Sequence, residues 1–378
     1  MGFEYLANHL ASWGFVIVSI NTNRGINAGK PAIQDNSLIR ARGRMVLRHL
    51  SLLYKWFHQG EMPSKIQKNL SELQGKIDFS NVGFLGHSRG GQGVRVAFNL
   101  YKEPGNPWVS LIPELNVKAI YEIGATDYPT YIQQEHLMFF YDADGVAWNQ
   151  LLPLCDADVM SAAGKNPFER MALKQYSGTL DQKSLVQVSG ANHNFFNTEW
   201  EVADENPNIC INQKKLYNPT DIGSKKQQLI AKESVSSFFK SHMLGLKTLN
   251  NHFNPLSPLP SNLKRITQID RDYLGSPGLE NMVIMDDFDQ ETGINTSGHT
   301  NIAHNIHIEH KPLNPFIRLK QRYAQIDWSI DDKDSFFESV WSSIGYGRDI
   351  STFATLDFRV HRTSHRYNSS PTTNFQIL

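Results

Sequence analysis

The stretch from Val82 to Gly91 constrains this chain most. An apolar run of strand length enters Gly86-His87-Ser88-Arg89-Gly90 and leaves directly as a helical pattern from Gln92 to Tyr101. A strand that becomes a helix within so few residues forces the apical residue into a strained backbone conformation and lifts its side chain clear of the sheet. That residue is Ser88. Gly86 and Gly90, lacking side chains, are expected to let strand and helix close around the turn. A hydroxyl presented in this way is a candidate nucleophile. The motif is far more specific between a strand and a helix than as five residues alone.

The rest of the chain reads as a two-domain protein, which its 378 residues favour. Lys+Arg and Asp+Glu both number 37, so no charge excess points to nucleic acid or an anionic membrane surface as a partner. No apolar run is long enough to span a bilayer. Glu4 interrupts the N-terminus, and no basic stretch or small-residue cleavage site marks a secretory signal. Cys155 and Cys210 neither define a disulfide scaffold nor exclude a single bridge.

Helical and strand patterns alternate over residues 1–245. Leu6, Leu10 and Trp13 mark one helix face, and Phe15 to Ile20 reads as a buried strand. A long helix is expected over Ser37–His58 and another over Asp221–Met243, with strands at Val117–Gly124, Gln150–Leu154 and Leu185–Val188. This alternation predicts an α/β domain with a mostly parallel sheet covered on both faces. Residues 246–275 read as a linker, with Asn250 to Pro260 rich in Asn, Pro and Ser. Over 276–378, short alternating segments at Met282–Met285, Tyr323–Trp328 and Phe353–Val360 predict a small β-sandwich.

A serine hydroxyl needs a base within reach, and the base needs an acid to fix its tautomer. In a parallel sheet such groups gather at the carboxyl ends of the strands. His193 follows the Leu185–Val188 strand in a small, polar loop and is the expected base. Asp156 and Asp158, after the Gln150–Leu154 strand, are the candidate acids; Asp158 is preferred for its spacing from the strand, while Asp142 and Asp144 share the local pattern as outsiders. Phe195 and Trp200, just past His193, either line a substrate pocket or pack the loop. His304 and His310 would face away from His307 on a strand, and the glycine and glutamate near Asp286 are misplaced for a calcium loop, so no metal site is expected.

These residues resemble the α/β-hydrolase family, and within it the dienelactone-hydrolase-like and polyester-hydrolase-like branch. The likeness runs from about Met1 to Met243 through Tyr5–Ile17, the Gly86–Gly91 turn, Cys155–Val159 and Ala191–Asn194. The resemblance implies ester hydrolysis through an acyl-enzyme on Ser88, with His193 as base, an aspartate orienting it, and the Arg89 N–H as one oxyanion donor. It implies no metal or organic cofactor, a small or polymeric ester as substrate, and a secreted or periplasmic protein. Related polyester hydrolases carry disulfides in the neighbourhood of Cys155 and Cys210; a bridge and two free thiols both remain open. The family's opening strands have no counterpart before Tyr5, so the chain is expected to be truncated at both ends and to lack one oxyanion donor, a defect of about 10²–10³ in turnover. The C-terminal region resembles accessory modules of secreted hydrolases, which implies carbohydrate or surface contact. The rival expectation is a non-catalytic hydrolase remnant whose β-sandwich is the binding module.

Overall fold

The computed structural model describes residues 2–22, 33–35, 38–65, 70–132, 137–174, 181–204, 210, 213–274, 285–288, 290, 293–312, 322–328, 334–340 and 351. The chain forms two compact units, Met1–Glu280 with Pro312–Arg322, and Asn281–Lys311 with Tyr323–Leu378.

The first unit is an α/β structure around one five-stranded sheet. Its strands are β1 (Val82–His87), β2 (Val117–Ile123), β3 (Ala147–Pro153), β4 (Lys183–Val188) and β5 (Ile269–Leu274), adjacent in that order. The first four run parallel and β5 is antiparallel to β4. The principal helices are α1 (Glu4–Ala11), α2 (Ile39–Phe57), α3 (Arg89–Lys102), α4 (Asn166–Lys174) and α5 (Lys225–Met243). Parallel neighbours need crossovers, which α3 supplies between β1 and β2 and α4 between β3 and β4. The start of α5 falls at Lys225 rather than Asp221, because the Ser224 hydroxyl caps it by accepting from the Gln227 N–H.

The two-residue period of the strands divides the core between the two faces of the sheet. Ile120, Trp148, Leu152 and Leu185 pack with Val46, Leu47 and Tyr54 of α2 and with Val96 and Phe98 of α3. Tyr121, Ile123, Leu151, Val186 and Val188 pack with Leu6 and Leu10 of α1 and with Ile230, Val235 and Phe238 of α5. Full burial of one such aliphatic or aromatic side chain stabilises by about 1.5–3 kcal/mol.

Two sequence expectations fail here. Phe15–Ile20 forms no strand, and Val16, Ile17 and Val18 are 47%, 39% and 48% exposed. An apolar run becomes a buried strand only when neighbouring strands complete its ladder, and no sheet among the described residues includes this run. The expected linker over 246–275 is folded: Leu263 and Phe253 are fully buried, and β5 pairs along its whole length with β4. Its alternation was concealed because Asp270, Arg271 and Asp272 sit within it, as an edge strand tolerates.

Toward the C-terminus the described strands form small two-stranded ladders: β6 (Ile302–His304) pairs antiparallel with β9 (Phe336–Glu338), and β7 (Ile306–Pro312) pairs with β8 (Arg322–Trp328). The strand expected at 353–360 lies outside the described residues, as does most of that at 282–285. Among the described residues, no three His, Cys, Asp or Glu side chains converge as a metal ion would require, and no helix is long and apolar enough to cross a membrane.

Candidate active site

Four successive parallel strands deliver their carboxyl ends to one edge of the sheet, and the loops that follow carry Ser88, Gly124, Asp156 and His193 in turn. Ser88 sits between β1 and α3 with φ 57° and ψ −131°, a strained conformation for a residue with a side chain. Hydrogen bonds hold it there. Its N–H donates to the Ile123 carbonyl at 2.9 Å, and its own carbonyl accepts from the Gly91 and Thr126 N–H groups. Gln92, fully buried on α3, secures the neighbouring loop: its side chain accepts from the Thr126 hydroxyl and the Tyr128 N–H.

The glycines around the turn differ from expectation. A Cβ on Gly86 would lie 2.3 Å from the Gly90 carbonyl oxygen, and one on Gly91 would lie 2.6 Å from the Ala125 Cβ. A Cβ on Gly90 would meet nothing within 4 Å. The close approach therefore requires Gly86 and Gly91, while Gly90 faces open space within the first turn of α3. Gly86→Ala is expected to destabilise by about 3 kcal/mol or more, because the obstacle is backbone. Gly90→Ala is expected to stabilise by about 0.5–1 kcal/mol through helix propensity. Thermal melts of the two variants check this, and a lower melting temperature for Gly90→Ala would refute it.

His193 is fully buried, and its Nδ1 lies 2.7 Å from Asp156 Oδ2. The aspartate on Nδ1 is thus Asp156, not the Asp158 preferred from spacing. The reason is a local turn: Asp156 Oδ1 accepts the N–H groups of Asp158 at 2.9 Å and Val159 at 2.7 Å. That turn aims the second Asp156 oxygen at the imidazole and leaves the Asp158 side chain 63% exposed, its Oδ2 3.6 Å from His193 Nε2. Nε2 is buried and makes no hydrogen bond among the described residues. Burial of the ring opposes its charged form. The hydrogen bond and charge of Asp156, with the fields of Asp204 and Asp158, outweigh this and raise the His193 pKa above the ordinary histidine value.

Several supporting residues escaped the sequence reading. Gly124 has φ +50°, a conformation that favours glycine, and a Cβ there would stand 3.0 Å from His193 Nδ1 and crowd the imidazole. A glycine closing β2 was its one visible signal. Gln227, fully buried on α5, exchanges two hydrogen bonds with the Asn192 backbone and so fixes the loop before His193. His87 Nε2 lies 3.0 Å from the His193 carbonyl oxygen, which assigns the proton to that nitrogen, and the two rings are 4.5 Å apart. Burial, with His193 beside it, pushes the His87 pKa down to about 3, so the ring stays neutral.

Phe195 and Trp200 separate. Phe195 is fully buried with its ring edge-on to Tyr217 and offers no face to a ligand. Trp200 is 38% exposed and lies edge-on to His87, beside the site. Arg89 is the exposed first residue of α3, whose leading N–H groups have no intrahelical acceptor. Cys155 and Cys210 are bridged, which joins the Asp156 loop to the segment beyond the histidine loop. The outsider Asp142 instead accepts from Arg170 at 2.7 Å, in a structural ion-pair network.

No protein-family model matches this chain, and comparison with curated proteins finds no match.

Proposed function

We propose that this chain is a serine carboxylic-ester hydrolase of the α/β-hydrolase type, working through an acyl-enzyme on Ser88. The observation that carries the reading is the buried Asp156–His193 pair, at 2.7 Å, on the same sheet edge as a serine at positive φ. Asp156 accepts from Nδ1–H, so Nε2 holds a lone pair free to take the serine proton. Ser88 Oγ attacks the ester carbonyl carbon as its proton passes to Nε2. The resulting oxyanion is held by the Arg89 N–H at the positive end of α3. The C–O bond to the alcohol then breaks, and the imidazolium returns its proton to the departing oxygen. Water repeats the sequence to release the acid. Trp200 and His87 form one wall of the acyl site, and the Cys155–Cys210 bridge favours an oxidising compartment. The C-terminal ladders fit an accessory module of β-sandwich type.

The test is labelling of the purified chain with a fluorophosphonate probe, which forms an Oγ–P bond and expels fluoride. Labelling is expected at Ser88, absent from Ser88→Ala, and increasing with pH. Only neutral His193 can accept the proton, and its raised pKa places the acid limb above the ordinary histidine range. A well-folded chain that takes up no probe would overturn the reading in favour of a non-catalytic binding protein.

A further inference from the structure

One carboxylate outside the Ser88, His193 and Asp156 set touches both loops that carry the acid and the base. Asp204 Oδ2 accepts the Ala157 N–H at 3.0 Å and the His193 N–H at 3.0 Å, while Oδ1 accepts the Asn194 N–H at 2.8 Å. Ala157 adjoins Asp156, so a single side chain ties the loop after β3 to the loop after β4. Two further links join the same segments. The Asn194 side chain donates to the Val202 carbonyl at 2.9 Å, and Cys210 is bonded to Cys155. Asp156 is therefore flanked on both sides by anchors to the segment after the histidine loop, one covalent at Cys155 and one hydrogen-bonded at Ala157.

Three N–H groups converging on one carboxylate is more than a surface turn needs, and the donors are His193 itself and the residues that follow Asp156 and His193. A shift of about 1 Å between base and nucleophile is enough to cost about 10²-fold in rate. The ionisable groups facing His193 are Asp156, Asp158, Asp204 and the neighbouring His87. Of the three carboxylates, Asp156 is bonded to the ring and Asp158 is largely exposed, whereas Asp204 is bonded to the backbone at both His193 and Asn194.

We propose that Asp204 is a positioning residue for the Ser88 reaction, fixing the acid and histidine loops to each other and lending negative charge to the imidazolium that forms when His193 takes the serine proton. This rests on the serine-hydrolase reading. The field of Asp204 favours protonated His193, so its removal moves the His193 titration to lower pH.

The experiment measures the rate of fluorophosphonate labelling against pH for the full chain and for Asp204→Asn and Asp204→Glu, with melting temperatures alongside. Asp204→Asn, which loses the charge and cannot accept from all three donors, is expected to label about ten- to a hundredfold more slowly, with its acid limb at lower pH. Asp204→Glu keeps the charge but misplaces the oxygens, so labelling slows while the acid limb stays put. A purely structural role would lower the melting temperature and leave the limb of Asp204→Asn unmoved, which would overturn the proposal. Labelling of both variants at the unmodified rate would do the same while the hydrolase reading stood. If Asp204→Asn does not fold, Asp204→Glu decides: an undiminished rate refutes the positioning role. Absence of labelling in the unmodified chain would remove the hydrolase reading and this inference together.

Discussion

Asp156→Asn is expected to slow labelling and ester turnover by about 10⁴-fold without unfolding the chain. The hydrogen bonds around Asp156 dictate why. Its Oδ1 accepts two backbone N–H groups, from Asp158 and Val159, so an asparagine must keep its oxygen there. The amide NH₂ then faces His193 Nδ1, where Asp156 Oδ2 stands at 2.7 Å. A donor facing Nδ1 leaves that nitrogen only its lone pair and shifts the proton to Nε2. In the proposed reaction, the nitrogen that accepts the serine proton would already carry one. Asp158→Asn is expected to change the rate by less than about tenfold, because a side chain 63% exposed is screened by water. Parallel measurements of kcat/KM check the pair. Equal, mild effects would refute Asp156 as the orienting acid, and a larger loss at Asp158 would reverse the assignment.

The largest expected effect on stability lies beneath the site. Arg95 on α3 and Glu122 on β2 are both fully buried, with Arg95 Nε donating to Glu122 Oε1 at 2.8 Å. Arg95 also donates to Asp127 and to the Thr126 and Tyr141 carbonyls, and the Trp148 indole N–H donates to Glu122 at 2.9 Å. Asp127 is shared with Arg170 of α4 at 2.6 Å. Burial works against the Arg95 charge, but Glu122 and Asp127 outweigh it and hold the guanidinium protonated. Arg95→Met leaves the two carboxylates with one guanidinium fewer and Glu122 without its cation, a loss of about 3–5 kcal/mol. The double variant Arg95→Met, Glu122→Gln removes the stranded charge and is expected to recover much of it. Urea unfolding of the first unit measures both. A double variant no more stable than Arg95→Met would show that the Glu122 charge is not what makes the single change costly. Because Thr126 also donates to the Ser88 carbonyl, loss of the network should loosen the Ser88 turn as well.

Contiguous features were legible in the sequence. The Val82–Gly91 run shows its strand, turn and helix because each is set by residues next to one another, and β1 to β4 with α2, α3 and α5 follow from the same local periodicities. His193 was visible because it lies in the loop after a strand, in a chain whose parallel strands must share one carboxyl edge. Partnership was not legible. Asp156 and Asp158 are two residues apart with the same chemistry, and only the turn that consumes Asp156 Oδ1 decides which of them meets the imidazole. Phe195 and Trp200 look alike as aromatic neighbours of His193, yet one is enclosed against Tyr217 and the other stands at His87. Phe15–Ile20 has a strand's composition and forms no strand, whereas Ile269–Leu274 has a polar edge strand's composition and a complete ladder with β4. Asp204 carries no sequence signal at all, since its three donors come from loops 10 to 47 residues away. By itself the sequence determined the Ser88 turn, the alternation of the parallel strands with helices and the sheet edge on which Ser88, Asp156 and His193 gather. Tertiary structure alone decided which side chains meet there, because hydrogen bonds and burial between distant loops depend on how the sheet brings those loops together.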